Sequence, residues 1–291
     1  MRFYLLSIFV VQHRNLLLSL LMYMDRNRQI DILGIINLTD DSYFRQSRCT
    51  SLEAALSLAG RHVEEGASIL DIGACSTRPG AQILGAEEEW RRLEPALKVI
   101  RDAFPDVRIS IDTVWASVVE KAYDIIGDFI VNDISAGEDD PSILPAAGRL
   151  GLAYIAMHKR GNSMTMGVLT DYEDVVQDVC RYFEEFAVRA ADAGIKDWIL
   201  DPGFGFAKTI RQNYELLRSL KSFRNIGGDR CVLVGISRKS MIYKLLDITP
   251  EESLPATQVL HLKALENGAD MLRVHDVAEA ARTIALYRII S

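Results

Sequence analysis

The sequence predicts an α/β protein folded as a single-domain (β/α)8 TIM barrel, and three observations predict it. Short apolar runs of strand length alternate eight times with longer stretches of helical periodicity. The strand runs are almost continuously apolar, as strands covered on both faces of a parallel sheet must be. No Pro- or Gly-rich linker interrupts the series across the 291 residues, and a count of eight selects closure over an open sheet.

In chain order, the first strand is expected at 32–36 and the first helix at 51–65. A strand at 68–72 leads to a helix at 87–103, whose opening Glu87-Glu88-Glu89 favours a helix N-terminus and reads as a solvated face. The third strand, 108–111, precedes a helix at 115–126 that opens after Thr113, a candidate cap. Strands at 128–131, 152–157 and 197–200 are followed by helices at 140–149, 172–193 and 212–220. The last two units pair strands 232–235 and 270–274 with helices 256–267 and 276–289. Gly66, Gly127, Gly151, Gly194 and Gly268 fall where helices should stop.

Bulk properties narrow the function. A formal charge of −7 and a pI near 5.4 leave no basic face for nucleic acid. Cys49, Cys75, Cys180 and Cys231 lack metal-like spacing and read as reduced thiols of a cytoplasmic protein. Residues 3–11 and 16–24 are apolar, but Gln12-His13-Arg14-Asn15 divides them into runs too short to span a membrane. Residues 1–24 therefore read as a helical appendage or an over-extended start, with Met22 or Met24 as the alternative beginning and 25–291 as the barrel.

In such a barrel the chemistry sits where the strands end. Arg273-Val274-His275-Asp276 closes the last strand and opens the last helix, so an Arg and a His project together beside free helix N–H groups as an anion site. The other strand ends are also polar. Asp112, Asn132, Asp201 and Lys239 supply alternating acceptors and donors, which suits a flat heterocycle with amino, ring N–H and carbonyl groups. Met157 and Phe206 offer two walls for that ring. Arg78, Arg273 and His275 form a cationic patch for phosphate-type oxygens, with Asn37 beside it as a neutral oxygen ligand for a shared magnesium ion. Each residue alone has an ordinary reading: Asp112 as a cap, Met157 and Phe206 as core, Ser237–Ser240 as a solvated turn. His62 and His158 stand outside the pattern and read as structural. Eight polar strand ends on one rim are hard to explain as eight separate caps.

From about residue 31 onward the chain resembles the dihydropteroate synthase family, through Gly34–Ser42, Asp71–Gly80, Asn132-Asp133-Ile134, Asp201–Phe206, Ser237–Ser240 and Arg273–Asp276. The resemblance implies condensation of 6-hydroxymethyl-7,8-dihydropterin diphosphate with 4-aminobenzoate, giving dihydropteroate and diphosphate by a dissociative route. It assigns the pterin to Asp112, Asn132, Ile134, Met157, Asp201, Phe206 and Lys239, and the diphosphate to Asn37, Arg273 and His275, with Mg2+ on Asn37. Tyr43, Thr77, Arg78, Pro79 and Ser240 fall to the 4-aminobenzoate side and its loops, and Asp112, Lys239 and Arg78 to catalysis. A homodimer is implied as well.

The first loop departs from the family's usual Thr-Pro-Asp-Ser-Phe, reading Thr39-Asp40-Asp41-Ser42-Tyr43-Phe44-Arg45. Ala74-Cys75 replaces a common Gly-Glu in the second loop. The rival readings are a methyltetrahydrofolate:corrinoid methyltransferase type of pterin-binding barrel and a non-catalytic pterin-binding paralogue. The first has no use for Arg78, Lys239-Ser240 and Arg273-His275 as a set.

Overall fold

Eight short runs such as Asp31-Ile-Leu-Gly-Ile-Ile-Asn37 bury nearly every residue, and that is what a strand with helices outside and a packed barrel inside requires. In the computed structural model, which describes residues 29–38, 51–75, 84–162 and 164–291, all eight form. They are β1 (Asp31–Asn37), β2 (Ile69–Gly73), β3 (Arg108–Asp112), β4 (Ile130–Asp133), β5 (Ala153–Met157), β6 (Trp198–Asp201), β7 (Leu233–Val234) and β8 (Met271–Val274). The order β6-β5-β4-β3-β2-β1-β8-β7 is parallel throughout. A bridge between Leu200 and Val232, with Leu200 N donating to Cys231 O at 3.0 Å, joins β6 to β7 and closes the barrel.

Among the described residues nine α-helices surround it: α1 (Leu52–Glu64), α2 (Ala86–Ala103), α3 (Ala116–Ile126), α4 (Ile143–Leu150), α5 (Val175–Asp192), α6 (Ile210–Arg218), α7 (Ser240–Leu246), α8 (Leu254–Glu266) and α9 (Val277–Ile290). Eight match expectation, with ends moved by capping. Asp174 accepts from Val176 N and Gln177 N, so α5 starts there, and Thr209 with Gln212 makes a capping box for α6. Thr113 does not cap α3. Its hydroxyl accepts from Trp115 N, and Ala116 N is satisfied by Asp140 Oδ2 at 2.8 Å from across the next loop. The short helix α7 and a 3-10 turn at Leu220–Phe223 are additions that periodicity did not announce. Residues 1–28, including the proposed appendage, lie outside the described residues.

The core has two parts. Leu33, Ile69, Ile130, Ile155, Ile199, Leu233 and Met271 form a small cluster inside the barrel, while a far larger one fills the space between strands and helices. Successive side chains of a strand alternate faces, so the residues two further along each strand also point inward. Those residues are Ile35, Asp71, Asn132, Met157, Asp201, Gly235 and Arg273. The barrel is thus floored with aliphatic side chains, and Asp71, Asn132, Asp201 and Arg273 bring polar groups into the level above them.

The helix layer leaves little slack. A Cβ on Gly148 of α4 would lie 1.8 Å from Ala193 O at the end of α5. Gly148→Ala is expected to push the two helices apart and cost about 1–3 kcal/mol. A thermal melt should show a drop of several degrees with activity per folded molecule kept. An unchanged melting temperature would mean the two helices are not held at that distance.

Candidate active site

The inward polar layer is organised around Arg273. Its Nε donates to Asp71 Oδ2 at 2.6 Å and its Nη2 to Asp112 Oδ2 at 2.8 Å. Asp71 Oδ1 in turn accepts from Asn132 Nδ2 at 3.0 Å. Register explains the meeting: Gly73 pairs with Asp112 and Asp112 with Asn132, so the three strand ends share one level. Gly73 leaves room for it, since a Cβ there would come within 3.1 Å of Asp112 Cβ. Asp112 is therefore not a helix cap.

Burial dominates the electrostatics. It pushes the Asp112 carboxyl up to about 7, against the pull of the Arg273 guanidinium, with Asp71, Asp133 and Asp201 adding to the rise. Burial also works against charge on Arg273, but Asp71 and Asp112 outweigh it and keep the guanidinium protonated. His275 is pushed down to about 3 by burial and by the charges of Arg273, Arg238 and Lys239. That corrects the cationic patch read from the sequence. His275 is a neutral imidazole here, its Nδ1 lying 3.0 Å from Ser237 Oγ, and Arg273 supplies the positive charge.

On the opposite side, Met157 pairs in register with Asp201. Asp201 Oδ1 accepts from Gly203 N at 2.8 Å, and burial raises its pKa against the pull of Lys239. Lys239 Nζ donates to Phe204 O at 2.5 Å and stands 4.8 Å from the centre of the Phe206 ring. Burial lowers its pKa to about 8, opposed by Asp201. The loop after β6 is held from beneath by Lys208, whose Nζ donates to Gly203 O at 3.0 Å and Phe206 O at 2.9 Å and lies 2.9 Å from His158 Nδ1. Gly203 has φ +70, and a Cβ there would sit 1.9 Å from His158 O, so only glycine lets the two loops touch.

Arg238, with φ +54, is buried and turned away from the mouth. Its Nε and Nη2 each donate to Asp276 at 2.8 Å, and its Nη1 reaches Pro250 O and Glu251 O. This clamp ties the loop after β7 to that after β8 and so places Lys239, Ser240 and His275. Asp276 stands at the N-cap of α9 but gives its carboxylate to Arg238. Ser240 opens α7, Ile134 follows β4 half-buried, and Asn37 ends β1 half-buried. Tyr43, Thr77, Arg78 and Pro79 lie outside the described residues, as do Asp40 and Arg45. His62 and His158, outside the pattern read from the sequence, are both buried: His62 Nε2 is 3.1 Å from Ile35 O, and the His158 ring packs edge-on to Tyr182.

Sequence reasoning held Asp71 and Arg238 inside its motifs without giving either a role, and singled out neither Lys208 nor the burial of Glu89. Glu89 was read as part of a solvated face, yet only 1% of it is exposed. Burial lifts its carboxyl to about 7, against a hydrogen bond from Thr113 and helped by Asp112 and Asp133. The folded protein therefore keeps a proton that the unfolded chain releases near 4.5. Stability from this group is present below about pH 4.5 and is lost as pH rises toward about 7. Glu89→Gln should flatten that loss in thermal melts compared between about pH 5 and about pH 8. An unchanged pH slope would mean Glu89 is not protonated in the fold.

Among the described residues no group of three or more His, Cys, Asp or Glu is placed to hold a metal ion. Asn37 offers one carboxamide oxygen, which fits magnesium only if anionic substrate oxygens and water complete its shell.

A family model described as "Pterin binding enzyme" matches residues 33–275. The dihydropteroate synthase of Synechocystis sp. is 40% identical over 261 residues, covering 89% of each chain. The Yersinia pestis dihydropteroate synthase solved with a sulfonamide drug superposes with a TM-score of 0.84 at 34% identity, covering 90% of this chain and 93% of that one. The Xanthomonas albilineans dihydropteroate synthase solved with 4-aminobenzoic acid gives 0.81 at 35% identity, covering 91% and 94%.

Proposed function

This chain belongs to the dihydropteroate synthase family, and from that premise we propose how its barrel mouth works. The enzyme condenses 6-hydroxymethyl-7,8-dihydropterin diphosphate with 4-aminobenzoate, releasing diphosphate and 7,8-dihydropteroate. The observation that carries the reading is the inward layer of Asp71, Asp112, Asn132, Asp201 and Arg273 above an aliphatic floor. A flat heterocycle with mixed donors and acceptors satisfies Asp112, Asn132, Asp201 and Lys239, with Met157, Ile134 and Phe206 as apolar walls. Arg273, Asn37 and His275 take the diphosphate, and an anion there favours protonation of the now neutral His275.

In the reaction the bond between the pterin methylene carbon and the diphosphate oxygen breaks, its electron pair leaving with oxygen. The arylamine lone pair then forms the new C–N bond, and the amine gives up a proton. An arylamine is a weak nucleophile, so the residues serve the departure step. Arg273 stabilises the leaving charge, and ionised Asp112 the cationic methylene. Magnesium on Asn37 would add charge neutralisation for the leaving group. Thr77, Arg78, Pro79, Tyr43 and Ser240 would receive 4-aminobenzoate.

The test is a coupled assay for diphosphate release. Release that requires both 4-aminobenzoate and magnesium is expected; release independent of 4-aminobenzoate would sink the reading. A non-catalytic paralogue would bind the pterin and release nothing. Calorimetric titration with inorganic diphosphate should show weaker binding without magnesium, and Asn37→Ala should erase that difference.

No described helix is long and apolar enough to cross a membrane. Free thiols at Cys180 and Cys231 support a cytoplasmic location. Val259 on α8 and Leu286, Ile289 and Ile290 on α9 are exposed, which supports a homodimer through the barrel's outer wall. Light scattering at the mass of one chain would exclude it.

A further inference from the structure

Asp71 breaks an otherwise apolar strand, Ile69-Leu70-Asp71-Ile72-Gly73, and is completely buried. It faces inward, one level below the mouth, with Ile35 and Ser110 as register neighbours. Its two oxygens serve two different residues: Oδ1 accepts from Asn132 Nδ2 at 3.0 Å and Oδ2 from Arg273 Nε at 2.6 Å. We propose that Asp71 is a positioning residue, one carboxylate setting the orientation of both the Asn132 amide and the Arg273 guanidinium. It thereby holds the pterin-facing and diphosphate-facing halves of the site in one fixed relation. The inference rests on the functional reading above for the identity of the two ligands.

The argument is one of donor and acceptor count. A carboxylate only accepts, so Asn132 must turn its nitrogen toward Asp71 and keep its oxygen for a ligand. The guanidinium is a rigid planar fork, so fixing Nε on Asp71 and Nη2 on Asp112 fixes its plane. Both demands need two acceptor oxygens on one inward side chain. An amide has one, a hydroxyl cannot reach two partners on different strands, and neighbouring Ile35 has none. An aliphatic residue would pack the layer at lower cost, because a buried carboxylate is weak support for stability. Asp71 is placed for orientation.

Asp71→Asn keeps the volume but offers one acceptor and one unwanted donor to two donors. Calorimetry should find binding of 6-hydroxymethyl-7,8-dihydropterin and of inorganic diphosphate with magnesium each weakened about tenfold or more, in a variant that melts cooperatively. Normal binding of both by a folded variant, or loss of only one, overturns the proposal. A lower melting temperature with unchanged affinity does so too, since that is what a purely structural acid would give. NMR supplies a readout that needs neither ligand nor the variant: the Arg273 Nε–H should be protected from solvent exchange in the unaltered protein. A rapidly exchanging Nε–H overturns the proposal even if Asp71→Asn fails to fold. Should the unaltered protein bind neither ligand while that proton is protected, the functional reading fails and the positioning geometry stands.

Discussion

Arg273→Met is expected to cost about 3–5 kcal/mol of stability near neutral pH and to abolish diphosphate release. Methionine fills much of the space but leaves Asp71 and Asp112, both buried, without the cation that each touches. Two uncompensated carboxylates a few ångströms apart in a poorly solvated layer are the costliest defect this site can be given. The pH dependence has a definite sign. Arg273 holds the Asp112 carboxyl down, so its removal raises a pKa already pushed to about 7 by burial. The variant's folded state then binds protons more readily than its unfolded state, and its deficit should shrink as pH falls from about 8 to about 5. Urea titrations of both proteins at those two pH values are the check. A variant as stable as the unaltered protein near neutral pH would show that the acids are relieved by something other than Arg273. Arg273→Lys keeps the charge but not the fork, and should recover stability before it recovers turnover.

The fold was legible because eight apolar runs, each alternating with a helical stretch, have few other solutions, and the glycines that stop helices sit at positive φ as their positions suggested. The site was legible in outline because function in a barrel collects at strand ends. What remained hidden has physical reasons. Asp71 opens a strand-end motif, but its role rests on contacts with Asn132 and Arg273, 61 and 202 residues away, which no strand-end pattern supplies. Lys208 and Arg238 look like surface cations, yet Lys208 turns back onto carbonyls of its own loop and reaches the His158 ring 50 residues away, and Arg238 reaches Asp276, 38 residues on. No local pattern encodes that. Glu89 sits in a run of three acids where helical phase alone decides which one faces the strands, and the run itself suggested solvent. His275 looked cationic because its charge depends on the number of buried cations around it, which only the closed barrel assembles.

Lys239→Ala is expected to lower turnover by roughly 10²–10³-fold while leaving the melting temperature almost unchanged. The side chain is only half-buried at the rim, and its contacts are to Phe204 O and the Phe206 ring, so the loss is one hydrogen bond and no apolar core packing. What is lost is the strongest of the three cations, Lys239, Arg273 and Lys208, whose charges oppose the effect of burial on Asp201. Without it Asp201 holds its proton more readily and becomes a poorer acceptor for the amino and ring N–H groups of a pterin. Two observations would separate this from a general loss of packing. Because burial lowers Lys239 to about 8, activity that needs its ammonium should decline as pH rises through that value. That alkaline limb should vanish in Lys239→Ala. Lys239→Met, which restores the stem but not the charge, should be as inactive as alanine. Near-normal kcat/KM in either variant, or an alkaline limb that persists without the lysine, would move the pterin away from Lys239 and would require another donor at this edge of the barrel.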